Sequence, residues 1–147
     1  ARTGERLVLA GVTAKEVARQ LGERAAATPG ASFAGSLSTA DYRLLLRRSR
    51  VFVTGVRRED YGIAQLEALA DGCALVTTPS PGPYAALPVA RALDPRLVTT
   101  DLAPAIRLAL DDPVPGYAQR AAEALAPWRR EAVDALVREE LLPRLMP

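Results

Sequence analysis

Short apolar runs rich in β-branched residues alternate along this chain with stretches of helical periodicity, and this alternation restricts the fold more than any single residue. Strand, helix and strand succeeding one another in runs this short are the pattern of βαβ units laid around a parallel sheet. The candidate strands are Leu7 to Ala10, Ser32 to Ala34, Val51 to Thr54, Ala74 to Thr77 and Leu97 to Thr99. The helices between them carry start signals. Thr13 and Glu16 have the spacing of a capping box, Ser38 and Asp41 repeat it, Asp101 stands ahead of Pro104, and Asp60 falls at the N-cap or first turn of the third helix. After Asp112 the composition turns to Pro and Gly, then to Ala, Leu and Arg, which predicts a helical tail over 113–147, broken at Pro127 and ending at Pro143. The expected class is α/β, a parallel sheet of about five strands flanked by helices.

With 147 residues the chain has the length of a single domain, and 49% hydrophobic with 24% charged residues is the balance of a folded protein. The net charge of +2 comes from nearly equal numbers of basic and acidic residues, so no cationic surface is available to track nucleic acid. Arg47, Arg48 and Arg50 read as a solvated helix end. The chain has no histidine and one cysteine, Cys73, which excludes a Ser-His-Asp triad, a histidine-ligated zinc site and an internal disulfide. Cys73 opens an apolar run and reads as a small core side chain. No stretch approaches the ~20 apolar residues of a membrane span, and the chain is expected to be cytoplasmic, with no metal and no cofactor.

The chemistry is expected in Arg57 to Cys73, which follows a strand and opens a helix. The first N–H groups of a helix lack internal partners and lie at its positive end, so an anion beside Asp60 to Ile63 would be stabilised, and Gly62 would not obstruct it. Glu59, just ahead of the helix, complements the dipole. Glu67 lies at the margin of a stripe formed by Ile63, Leu66, Leu69 and Ala70, and no cation stands four residues away. A distant Arg or ligand hydroxyls could answer it.

Here the sequence resembles the retaining GT-B glycosyltransferases that carry two glutamates separated by seven residues, with Gly third after the first. The match is Glu59, Gly62 and Glu67. The surrounding LVLAG, SFAGSLSTADYRLLLRRS, LEALADGCALVTT and Trp128 agree, so the resemblance runs from Leu7 to Leu142. It implies a Rossmann-like domain that binds the nucleoside-diphosphate sugar donor, Glu59 being the catalytic carboxylate that contacts sugar hydroxyls and Glu67 accepting hydrogen bonds from the ribose. Tyr61, Gly62 and Ile63 would supply backbone contacts to phosphate and sugar. Thr54-Gly55 and Ser80-Pro81-Gly82 depart from the family's usual Pro-Ser and paired glycines.

The resemblance also implies a preceding strand and helix whose Arg and Lys neutralise the diphosphate, and an N-terminal acceptor domain. Neither is supplied by the residues before Arg6, so the chain is expected to be an incomplete C-terminal donor domain. Arg57 and Arg58 either substitute in part for that basic pair or belong to a solvated loop. Without the extra strand the order becomes 2-1-3-4-5, with the ligand crevice between Gly11 and Glu59. Two other readings are a receiver-like regulatory module and the half-domain of a GT-B sugar-nucleotide epimerase. A receiver needs an acidic cluster after its first strand and an Asp ending its third, where this chain has Gly11-Val12 and Thr54-Gly55.

Overall fold

The computed structural model describes residues 5–146, so the first four residues and the last of the expected domain lie outside the described residues. The chain groups into two compact units, Ala1–Arg48 and Ser49–Pro147.

In the first unit β1 (Leu7–Ala10) pairs in parallel with β2 (Ala31–Gly35), and the connection carries α1 (Ala14–Leu21) and α2 (Glu23–Ala26). The capping box forms as the spacing requires: Thr13 Oγ1 accepts from the Glu16 N–H at 3.3 Å, and the Glu16 carboxylate accepts from the Thr13 N–H at 2.8 Å. Those bonds hold the Glu16 carboxyl below its usual range. The third helix of this unit, α3 (Thr39–Arg47), is capped by Ser38, whose hydroxyl accepts from the Asp41 N–H at 3.1 Å.

The second unit is built on β3 (Val51–Thr54) and β4 (Ala74–Thr77), again parallel and joined through α4 (Ile63–Ala70). Around them stand α5 (Ala86–Leu93), α6 (Leu102–Asp111) and α7 (Tyr117–Ala124). Leu69, Leu75, Val76 and Leu97 are sealed in the core, as is Cys73. Burial pushes the Cys73 thiol up to about 11, and its Sγ donates to the Ser49 carbonyl. A second polar anchor is Asp94, 4% exposed, which receives two hydrogen bonds from the Arg96 guanidinium at 2.9 Å each. The Arg96 pair holds the Asp94 carboxyl below its ordinary value of 3.8.

The expected sheet of about five strands is not formed. The strands are hydrogen-bonded as two separate pairs, β1 with β2 and β3 with β4, so the order 2-1-3-4-5 is corrected to two two-stranded sheets. Leu7 and Val8, on opposite faces of β1, are 45% and 36% exposed. The fifth strand shrinks to a single bridge between Thr77 and Val98 because Pro95–Leu97 winds into a 3-10 turn. The Tyr117 hydroxyl accepts from the Leu75 N–H at 3.2 Å, satisfying a ladder donor that a neighbouring strand would otherwise take.

The helical tail also departs from its expected end. A turn at Ala126–Trp128 contains Pro127, and helix then continues as α8 (Arg130–Leu136), a π-helical segment (Val137–Leu141) and α9 (Leu142–Leu145). Pro143 sits inside α9 and does not terminate the helix. The preceding backbone widens, with the Leu142 N–H donating to the Val137 carbonyl five residues back, in the turn that must accommodate a proline lacking its own N–H.

Candidate functional site

Glu59, Arg58, Tyr61, Gly62, Ile63 and Glu67 all fall in the second unit, on α4 and the loop leading into it, whereas Gly11 belongs to the first unit. Gly62 is the N-cap of α4, left-handed at φ 87°, ψ 44°, and has no side chain with which to cap. Glu59 does the capping. Its Oε1 accepts from the backbone N–H groups of Tyr61 at 3.3 Å and Gly62 at 3.1 Å, and its Oε2 accepts from Gln65 Nε2 at 2.8 Å. Asp60, expected at the cap, is instead 83% exposed and receives a bond from Arg58 Nε at 3.2 Å. A pair so open to water adds little to stability.

Part of the anion site expected beside Asp60 to Ile63 is therefore occupied by the chain's own carboxylate. The next three N–H groups, on Ile63, Ala64 and Gln65, meet no acceptor among the described residues. They are the orphan donors of the first helical turn.

The buried side of α4 also differs from the expected stripe. Gln65, Leu66, Ala68 and Leu69 are buried, while Ile63 is 64% exposed and Ala70 is exposed. Ile63, Glu67 and Ala70, spaced by four and three residues, share the opposite face. The stripe is rotated because Leu66 and Leu69 go into the core and Gln65 turns in to reach Glu59. Glu67 is half-buried on that outer face, and among the described residues no side chain donates to its carboxylate.

A second loop, between β4 and α5, holds the first in place. The Val56 carbonyl accepts from the Thr78 hydroxyl at 2.7 Å and from the Ser80 hydroxyl. The Glu59 N–H donates to the Pro81 carbonyl at 3.2 Å, and the Ala85 N–H donates to the Tyr61 carbonyl at 2.9 Å. Gly82, at φ 116°, lies so close to the Glu59 carbonyl that a Cβ would overlap it. Gly62 stands against the Tyr84 ring. The Tyr84 phenol, raised above its ordinary range by burial, shares a 2.8 Å hydrogen bond with Thr77. From the C-terminal side Trp128 Nε1 donates to the Tyr61 hydroxyl at 3.0 Å. Ser80-Pro81-Gly82 thus serves as the clamp on Glu59.

Gln65, Gly82, Tyr84 and the Trp128 link were not singled out by sequence reasoning as parts of the site. The apolar pattern of α4 held no signal for Gln65, because it centres the buried stripe on Ile63, Leu66, Leu69 and Ala70 and leaves Gln65 outside it. Among the described residues no cluster of three or more His, Cys, Asp or Glu could hold a metal ion, and no helix is long and apolar enough to cross a membrane.

The second unit is thus a parallel α/β framework with an acid-capped helix start flanked by two interlocked loops. Residues 1–112 match the family model described as glycosyl transferases group 1, and the chain belongs to that family. No curated protein and no solved structure matches it.

Proposed function

We propose that this chain is the C-terminal, nucleotide-sugar-binding domain of a retaining GT-B glycosyltransferase, paired with an N-terminal acceptor domain. In the transfer, the bond from the sugar to the diphosphate breaks and a bond from the sugar to the acceptor oxygen forms on the same face, releasing the nucleoside diphosphate and a proton. Negative charge grows on the departing diphosphate, so oriented N–H groups that need not reorganise supply the main stabilisation. The N–H groups of Ile63 and Ala64, which meet no acceptor among the described residues and belong to residues that are not buried, suit that task.

The observation that carries this reading is Glu67: a half-buried carboxylate with no side-chain donor among the described residues, one helical turn along α4 from the Ile63 N–H. Four residues of helix span about 6 Å. An anion at the helix start and a polyol beside Glu67 then fit one ligand, a diphosphate with its ribose. Glu59 takes the donor sugar in this scheme, the backbone at Tyr61, Gly62 and Ile63 lies against phosphate and sugar, and Arg58 is assigned to the same ligand. Calorimetry tests the division of labour. Glu67→Ala weakens a free nucleoside diphosphate and its sugar conjugate alike, by about 1.5–3 kcal/mol for a lost charged hydrogen bond. Glu59→Ala lowers the affinity of the conjugate relative to that of the free diphosphate, whose repulsion by the Glu59 charge it also relieves, and equal losses of both ligands on Glu59→Ala would sink the assignment.

A further inference from the structure

Gln65 shares the buried side of α4 with Leu66, Ala68 and Leu69, all apolar, and is only 3% exposed. Leucine or methionine would fill such a position without the desolvation that a buried carboxamide suffers unless it is hydrogen-bonded. The bond it makes is to Glu59 Oε2 at 2.8 Å, and on its other side it neighbours the Tyr84 phenol, itself tied to Thr77. A carboxylate offers about four acceptor positions. Three on Glu59 are taken, two on Oε1 by Tyr61 and Gly62 and one on Oε2 by Gln65.

We infer that Gln65 is a positioning residue: its carboxamide fixes the Glu59 carboxylate in the orientation in which Oε1 caps α4 and Oε2 keeps one acceptor position for a donor-sugar hydroxyl. The inference rests on the function proposed above. Without Gln65 the two backbone N–H groups still attract Glu59, but they grip a single oxygen, about which the carboxylate can turn. The sugar then has to order the carboxylate as it binds, and that lost preorganisation appears as lost affinity.

The test compares Gln65→Met, Glu59→Ala and the double variant with the unaltered chain. The probes are UDP-glucose, GDP-mannose and ADP-glucose beside UDP, GDP and ADP. Gln65→Met should weaken the bound conjugate about tenfold, the effect of losing roughly one hydrogen bond, and leave the free diphosphate unchanged. In the Glu59→Ala background the same substitution should do nothing, because a residue acting through Glu59 has no effect once Glu59 is gone. Amide hydrogen exchange at Tyr61 and Gly62, followed by NMR without ligand, should quicken in Gln65→Met toward its rate in Glu59→Ala. Gln65→Leu replaces the methionine variant if circular dichroism shows that it has not folded. Unchanged exchange with undiminished conjugate binding overturns the inference, as does an equal loss in the Glu59→Ala background. If the unaltered chain binds none of the six nucleotides, the functional reading fails, and the exchange rates alone decide whether Gln65 positions Glu59.

Discussion

Replacing Gly82 by alanine should disturb the site more than any other single methyl group. At φ 116° an L-residue is strained by roughly 1–3 kcal/mol before any contact is considered. The added Cβ also overlaps the Glu59 carbonyl, a backbone atom that cannot rotate away as a side chain can. Relief requires the two loops to part, which breaks the 3.2 Å bond from the Glu59 N–H to the Pro81 carbonyl and forfeits roughly 0.5–1.5 kcal/mol more. Gly82→Ala should therefore lower stability by about 2–4 kcal/mol in urea titrations. Gly116→Ala is the control: its φ is also positive, at 68°, but beyond its chain neighbours no atom of the described residues lies within 4 Å of the new methyl group, so it should cost only about 1–2 kcal/mol. Equal costs for the two variants would refute the close packing of Gly82 on Glu59.

Asp94→Asn should cost about 2–3 kcal/mol, below the roughly 3–5 kcal/mol of a fully buried pair because Arg96 is 44% exposed and screened by water. Since folding lowers the Asp94 carboxyl below 3.8, its contribution is complete above that value and fades as pH falls through the lower folded value; acid titrations of stability should show this drop in the unaltered chain and a smaller one in Asp94→Asn. Cys73, buried and raised to about 11, should resist a thiol reagent such as DTNB at neutral pH and react at once in denaturant; labelling of the native protein would contradict its place in the core. Tyr61→Phe and Trp128→Phe each remove the same hydrogen bond, so their denaturation energies should be non-additive by about 0.5–1.5 kcal/mol, and strict additivity would show that the bond contributes nothing.

Local features were legible in the sequence. β1, β3 and β4 begin and end where their apolar runs do, and the caps at Thr13 and Ser38 form because each is decided within three residues. What was not legible depends on residues far apart. Periodicity alone puts Ile63 and Ala70 on the buried stripe, but the face of α4 is settled by contacts of Gln65 with Glu59 and of Leu66 and Leu69 with the core. The Leu75 N–H on the far edge of β4 is satisfied by Tyr117, 42 residues away, and Trp128 reaches Tyr61 across 67 residues. Apolar pattern encodes neither contact. The site's composition was readable from the Glu59, Gly62 and Glu67 spacing, whereas its internal hydrogen bonding was not, because a carboxylate ahead of a helix can cap it or await a ligand with the same sequence around it.

That ambiguity has an electrostatic consequence. An α-helix presents about half a positive charge at its start, and Glu59 places a full negative charge there. A diphosphate approaching the N–H groups of Ile63 and Ala64 therefore meets a like charge within one turn. Two unit charges about 6 Å apart repel by roughly 0.7 kcal/mol in water and about 2.8 kcal/mol at an effective dielectric constant of 20. Glu59→Gln removes this repulsion while keeping an acceptor oxygen for the cap, so it should bind free UDP, GDP or ADP more tightly than the unaltered chain, by about 3- to 100-fold. The gain should shrink between 10 mM and 1 M salt as the Debye length falls from about 30 to 3 Å. Calorimetry at both ionic strengths measures it. A gain independent of salt would mean that Glu59 obstructs the phosphate by shape, and an affinity that falls on Glu59→Gln would place the diphosphate away from the start of α4.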